Sequence, residues 1–279
     1  RKGFDDQNGQ CASPIIGDEL ISMPIPTDES LVKLGSINYR NLNYLKVLNE
    51  LRPKAGFKDT YCHVDPDIRE GVNPLSQNWK AAFGQIGGDQ RHLEAASPGN
   101  QFPVEPGDIF LFFGKYRNTK YTKDGQLRFV GPERHMVFGY MQIGKILRCS
   151  NKADIDEIKN SYKWHPHSDD AHLNDATNTL YTPTEQLHFL NEKTGEKTLV
   201  GMKGFGTLKY ADKRVLTAPG LTKSKWIIHD WMFNVTISRH SSSNIIKEKG
   251  YFQSVNIGQE IVVSPNQNVT DWARNVITD

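Results

Sequence analysis

Cysteine is scarce: the 279 residues hold three, Cys11, Cys62 and Cys149, far apart in the chain. There is no CxxC pair, which argues against a zinc ribbon. An odd, scattered set is the usage of reduced thiols in a cytosolic compartment. No apolar run approaches the roughly 20 residues that span a bilayer, and there is no secretory signal. Charge of one sign is not in excess either. Lys and Arg number 34 against 32 Asp and Glu, for a net charge of +2. Any nucleic-acid surface must therefore be a local patch. No Gly-x-Ser-x-Gly elbow precedes a helix, which disfavours that type of hydrolase. Gly84-Gln85-Ile86-Gly87-Gly88 is glycine-rich, but no Walker lysine follows it, so a P-loop fails. The chain opens on Arg1-Lys2-Gly3-Phe4-Asp5 without a methionine, from which a short leading segment outside the numbered residues is expected.

What is present is ordinary globular composition, 37% hydrophobic and 24% charged, on a chain long enough to bury a core without staples. A single domain over residues 1–279 is expected. Prolines at 14, 24 and 26 break the early apolar runs into extended chain. Leu42, Leu45, Val47, Leu48 and Leu51 fall at helical spacing, predicting an amphipathic helix over about 41–52. Residues 53–76 read as a long loop, and 77–83 and 89–96 as short helices. Ile109-Phe110-Leu111-Phe112-Phe113 is a strand apolar on both faces, and Lys123-Asp124-Gly125-Gln126 is a hairpin turn. His135 to Leu147 gives a second apolar strand, so a buried central sheet is expected. Helices follow over 154–162 and 269–277, with a histidine-bearing polar loop over 165–180 and β-prone segments over 198–216 and 251–263.

Several blocks, in order along the chain, resemble the nucleotide modification associated domain 3 family. They include Arg1-Lys2-Gly3-Phe4-Asp5, Ser13-Pro14-Ile15, His63-Val64-Asp65-Pro66-Asp67 and Phe83-Gly84-Gln85. Gly107 to Gly114, His165-Pro166-His167, Asn178-Thr179-Leu180-Tyr181 and Gly258-Gln259-Glu260 continue the set. The resemblance implies a place in bacterial or phage systems that modify or handle unusual bases. Its partners would be a nucleotide or nucleic acid and other proteins of a modification or defence operon. Residues 106–147 are also similar to the strand pair of PUA-like and EVE-type domains, small barrels that bind modified bases or RNA. The expected fold class is α+β, with a central, mostly antiparallel, barrel-like (PUA-like) sheet, short flanking helices and long loops.

The sharpest local feature is His63-x-Asp65. On an extended segment the two side chains share a face, so imidazole and carboxylate can hold one metal ion. A histidine from elsewhere, His165 or His167, would complete a facial triad of the kind that binds Fe(II) or another divalent metal. The same residues also allow a metal-free general base, with the carboxylate fixing the imidazole tautomer. They are equally compatible with a plain turn at Asp65-Pro66. Candidate catalytic residues are thus His63, Asp65, His165 and His167, with His63, Asp65 and His165 as the metal set. Candidate substrate contacts are Arg1 and Lys2 for a phosphate, with Asp5, Gln85, Asn178 and Tyr181. Two readings compete with an enzyme acting on a nucleobase or nucleotide. One is a non-catalytic reader that stacks a modified base on aromatic side chains; the other is a structural component of a phage or defence complex.

Overall fold

The computed structural model describes residues 11–27, 30, 32–72, 78–96, 100–191, 194–254 and 260–278. Its centre is a long hairpin. Strand β6 (Ile109–Tyr121) pairs antiparallel with β7 (Leu127–Arg148) through a turn in which Gly125 has φ +73°. That left-handed conformation is open to glycine at no steric cost. The apolar run His135–Ile143 of β7 is buried along its whole length. This follows because neighbouring strands and packed segments cover both faces of the sheet.

The remaining strands are short. Those that join the main sheet or hold the His63 segment are β1 (Ser13–Ile16), β2 (Glu19–Leu20), β3 (Ile25–Pro26), β4 (Cys62–His63), β5 (Phe83–Gln85), β8 (Thr179–Pro183) and β9 (Phe205–Thr207). Among the described residues the main sheet runs β2-β1-β6-β7-β8-β5, with β9 also on β7. Only the β1/β6 pairing is parallel. The order ends at β2 and β5 without these two pairing, so among the described residues the sheet is open. No closed barrel is found among the described residues, where β5 ends one edge as a three-residue strand. The α+β class stands.

Helices α1 (Tyr44–Leu51), α2 (Gly87–Leu93), α3 (Lys152–Ser161), α4 (Asp170–Leu173) and α5 (Gln267–Ile277) flank the sheet. Asn43, Asn151, Asp169 and Asn266 each accept a backbone N–H as N-caps, which is why these helices start where they do. Of the short helix expected over 77–83, the described residues 78–83 form no helix. Ala81, Ala82 and Phe83 are all buried, so this stretch has no polar face to turn to water. It instead bridges Asp67 through Ala82 and pairs β5 with β8. Among the described residues no helix is long and apolar enough to cross a membrane.

The two faces of β5 and β8 pack differently. Phe83 and Tyr181 join a cluster with Phe112, Phe138 and Met141. Leu180, with Ala82, joins Leu147, Ile158, Tyr162 and Trp164 on the other side. Strand alternation puts Gly84, the register partner of Leu180, on that second side.

Candidate metal centre

Four separate segments meet over Gly84. Strand β4 pairs with β3, Ile25 opposite His63, and holds residues 62–63 extended. Cys62 packs in a cluster with Ile21, Met23, Val32 and Leu48, and burial pushes its thiol up to about 12. His63 points the other way and keeps 17% of its side chain exposed, whereas the Asp65 carboxylate is fully buried. Asp65 Oδ1 accepts the Gly84 N–H at 2.9 Å. This bond ties the loop after β4 to strand β5. A single turn of 3₁₀ helix at Pro166–Ser168 then brings in the His-Pro-His segment.

The ligand atoms of His63, Asp65 and His167 all lie within 4.8 Å of one another. His63 Nε2 is 3.8 Å from Asp65 Oδ2. Donors this close come within reach of one ion after small side-chain shifts, metal–nitrogen and metal–oxygen bonds being about 2.0–2.2 Å long. The His63 and His167 rings meet edge to face, with centroids 5.2 Å apart. Gly84 makes room for this, since a Cβ there would stand 2.3 Å from His167 Cγ and Cδ2.

Hydrogen bonds fix which nitrogens are available. Asn178 Nδ2 donates to the His167 carbonyl at 2.9 Å and to Cys149 Sγ at 3.3 Å. Its Oδ1 must therefore face His167 Nδ1, 2.6 Å away, and accept that nitrogen's proton. His167 Nε2 is left with the lone pair a metal needs. His165 Nδ1 accepts the His167 backbone N–H at 3.2 Å, so its proton sits on Nε2, 3.3 Å from Asp65 Oδ1. His165 Nε2 thus faces the carboxylate at close range without hydrogen-bond geometry. The sequence reading places it third in the metal set, but the converging third donor is His167.

Of the other predicted residues, Asn178 is fully buried and supports the cluster through His167. Gln85 lies on the opposite face of β5, where its Nε2 donates to Glu260 Oε1. Tyr181 is fully buried too; its hydroxyl donates to Gln90 Oε1 at 2.9 Å and its ring packs on Phe83 and Phe110. Arg1, Lys2 and Asp5 lie outside the described residues. Asp67 is occupied in accepting the Trp79 Nε1–H at 2.9 Å.

Sequence reasoning missed His172. Its ring lies 4.7 Å, centroid to centroid, from that of His167. Asp169 Oδ1 caps helix α4 through the His172 N–H and also accepts the His172 Nδ1 proton at 2.9 Å. The i, i+3 spacing of Asp169 and His172 at a helix start was the available signal.

The family model for nucleotide modification associated domain 3 matches residues 1–264. The chain belongs to the nucleotide modification associated domain 3 family. No curated protein and no solved structure matches it. Every residue of the histidine cluster, from His63 to Asn178, falls inside the region matched to this family. Membership associates the chain with nucleotide modification, while the cluster is a property of its own geometry.

Proposed function

We propose that this member of the nucleotide modification associated domain 3 family is a metal-dependent enzyme acting on a nucleobase or nucleotide. His63, Asp65 and His167 are the proposed ligands of one divalent ion, Fe(II) or another transition metal. The observation that carries this reading is the convergence of their donor atoms within 4.8 Å. The fixed His167 tautomer supports it, because a ligand imidazole needs its second nitrogen held by a partner. Two histidines and one carboxylate leave coordination positions open, and the bound ion would supply Lewis-acid or oxidative chemistry there.

The protein residues have separable tasks in this proposal. The Gly84 N–H donates to Asp65 Oδ1, with His165 Nε2 packed 3.3 Å from the same oxygen, so the carboxylate is held with Oδ2 toward His63. His63 and His172, with 17% and 14% of their side chains exposed, are the parts of the cluster that solvent reaches. Substrate would arrive across these two rings. His172, its Nδ1 proton given to Asp169, offers Nε2 to take up or return a proton.

The test is the transition-metal content of protein purified without chelators, compared with His63→Ala, His167→Ala and His165→Gln. About one ion per chain is expected in the wild type. The two alanine variants should lose it and His165→Gln should retain it. Absence of metal from the wild type after anaerobic reconstitution with iron, manganese or zinc would exclude a metal enzyme.

A further inference from the structure

Strand β5 has a second side. Phe83 and Gln85 flank Gly84 and, by strand alternation, face away from His167. A cavity of about 720 Å³ lies between Phe83, strand β6 and the segments around Trp231, Glu260 and Trp272. Its size is that of a small-molecule site. Its walls are aromatic. Phe110 and Phe113 come from β6, and the Trp231 and Trp272 rings stand 5.2 Å apart. His229 lies parallel to Trp231, its plane within 7°. Burial pushes the His229 imidazole below its ordinary value, so at neutral pH this wall is uncharged there.

Two polar atoms at this site are unmatched. Gln85 Oε1 accepts the Ile86 N–H at 3.1 Å, which turns Nε2 toward Glu260 Oε1. Glu260 Oε2 is then buried without a hydrogen-bond partner among the described residues. So is Nε1 of Trp231, whose residue is 7% exposed. A buried acceptor and a buried donor left unmatched each carry a desolvation cost that a complementary ligand removes. Flat aromatic walls with one acceptor and one donor match a planar heterocycle that carries both an N–H and a ring acceptor.

We infer that this cavity is a second ligand site, taking a nucleobase or nucleoside whose N–H meets Glu260 Oε2 and whose ring acceptor meets Trp231 Nε1. None of His63, Asp65 and His167 lines it, so it does not depend on the metal reading. Its occupant is bound there as a recognition or effector ligand, since the cluster faces the other side of β5.

The experiment titrates the full chain with guanosine, adenosine, cytidine and thymidine, following tryptophan fluorescence. Saturable quenching by at least one nucleoside is expected. It should weaken roughly tenfold or more in Glu260→Gln, which puts an N–H donor where the acceptor stood, and in Trp272→Ala. Circular dichroism verifies that both variants fold. Glu260→Gln should keep the wild-type metal content, and His63→Ala should keep nucleoside binding. No quenching by any nucleoside, or equal affinities in wild type and both variants, would overturn the inference. Loss of nucleoside binding in folded His63→Ala would overturn the separation of the two sites.

Discussion

Asn178 Oδ1 accepts the Nδ1 proton of His167 across 2.6 Å, and the same side chain's amide donates to the His167 carbonyl. One buried carboxamide thus holds both the ring and the backbone of a single histidine. Removing it should free the ring to rotate and to carry its proton on either nitrogen. We expect Asn178→Ala to fold and to bind metal about 10–100-fold more weakly. Titration of the apo protein with manganese or zinc checks this.

Gly84 permits the arrangement sterically. With a Cβ 2.3 Å from two His167 ring atoms, Gly84→Ala must displace either the ring or strand β5. The predicted result is a loss of about 1–3 kcal/mol in urea unfolding together with weakened metal binding. A variant as stable as wild type with full metal content would show that the ring does not sit there.

Tyr181 belongs to the opposite face. Tyr181→Phe removes its bond to Gln90 and leaves a buried acceptor unmatched, costing about 1–3 kcal/mol. Metal content should be unchanged. A fall in metal content at unchanged stability would contradict its role in packing.

All three thiols should be inert in the native state. Burial is the main cause that raises Cys11 to about 11 and Cys62 to about 12, and it raises Cys149 as well. The thiolate is the reactive form. Ellman's reagent at pH 8 should therefore titrate few or none of the three cysteines until denaturant is added. Rapid reaction of one native thiol would mean a local opening at that position.

Stability should fall with acid before the carboxylates titrate. Burial is the main cause holding His92, His229 and His240 below the ordinary histidine value of 6.5, with Arg239 adding to it at His92. As the pH drops through 6.5 the unfolded chain takes up protons that these native imidazoles still refuse. The urea midpoint should thus decline from about pH 7 toward pH 5 and be flat just above that range. A midpoint that rises on acidification would reverse the sign.

Much of the fold was legible from patterning. Helices α1 and α5 announced themselves by spaced apolar residues, and the hairpin by its Asp124-Gly125 turn. The 77–83 segment was misread because three consecutive buried residues carry no period, so helix and strand look alike. At the site, His63-x-Asp65 was readable because extended chain alternates. The choice between His165 and His167 was not, because it depends on a 3₁₀ turn that sets His165 beside Asp65 Oδ1 and His167 against the His63 ring. His172 was missed although Asp169 stands three residues before it at a helix start. Tyr181 and Gln85 drew attention as polar residues, yet strand alternation carries both to the far side of β5 and β8.

The most direct test of the metal centre is the anomalous scattering of crystals grown or soaked with Mn(II) or Fe(II). The account predicts one strong peak at bonding distance, roughly 2.0–2.3 Å, from His63 Nε2, an Asp65 oxygen and His167 Nε2. A peak ligated by His165 in place of His167, or no peak among these residues, would contradict it.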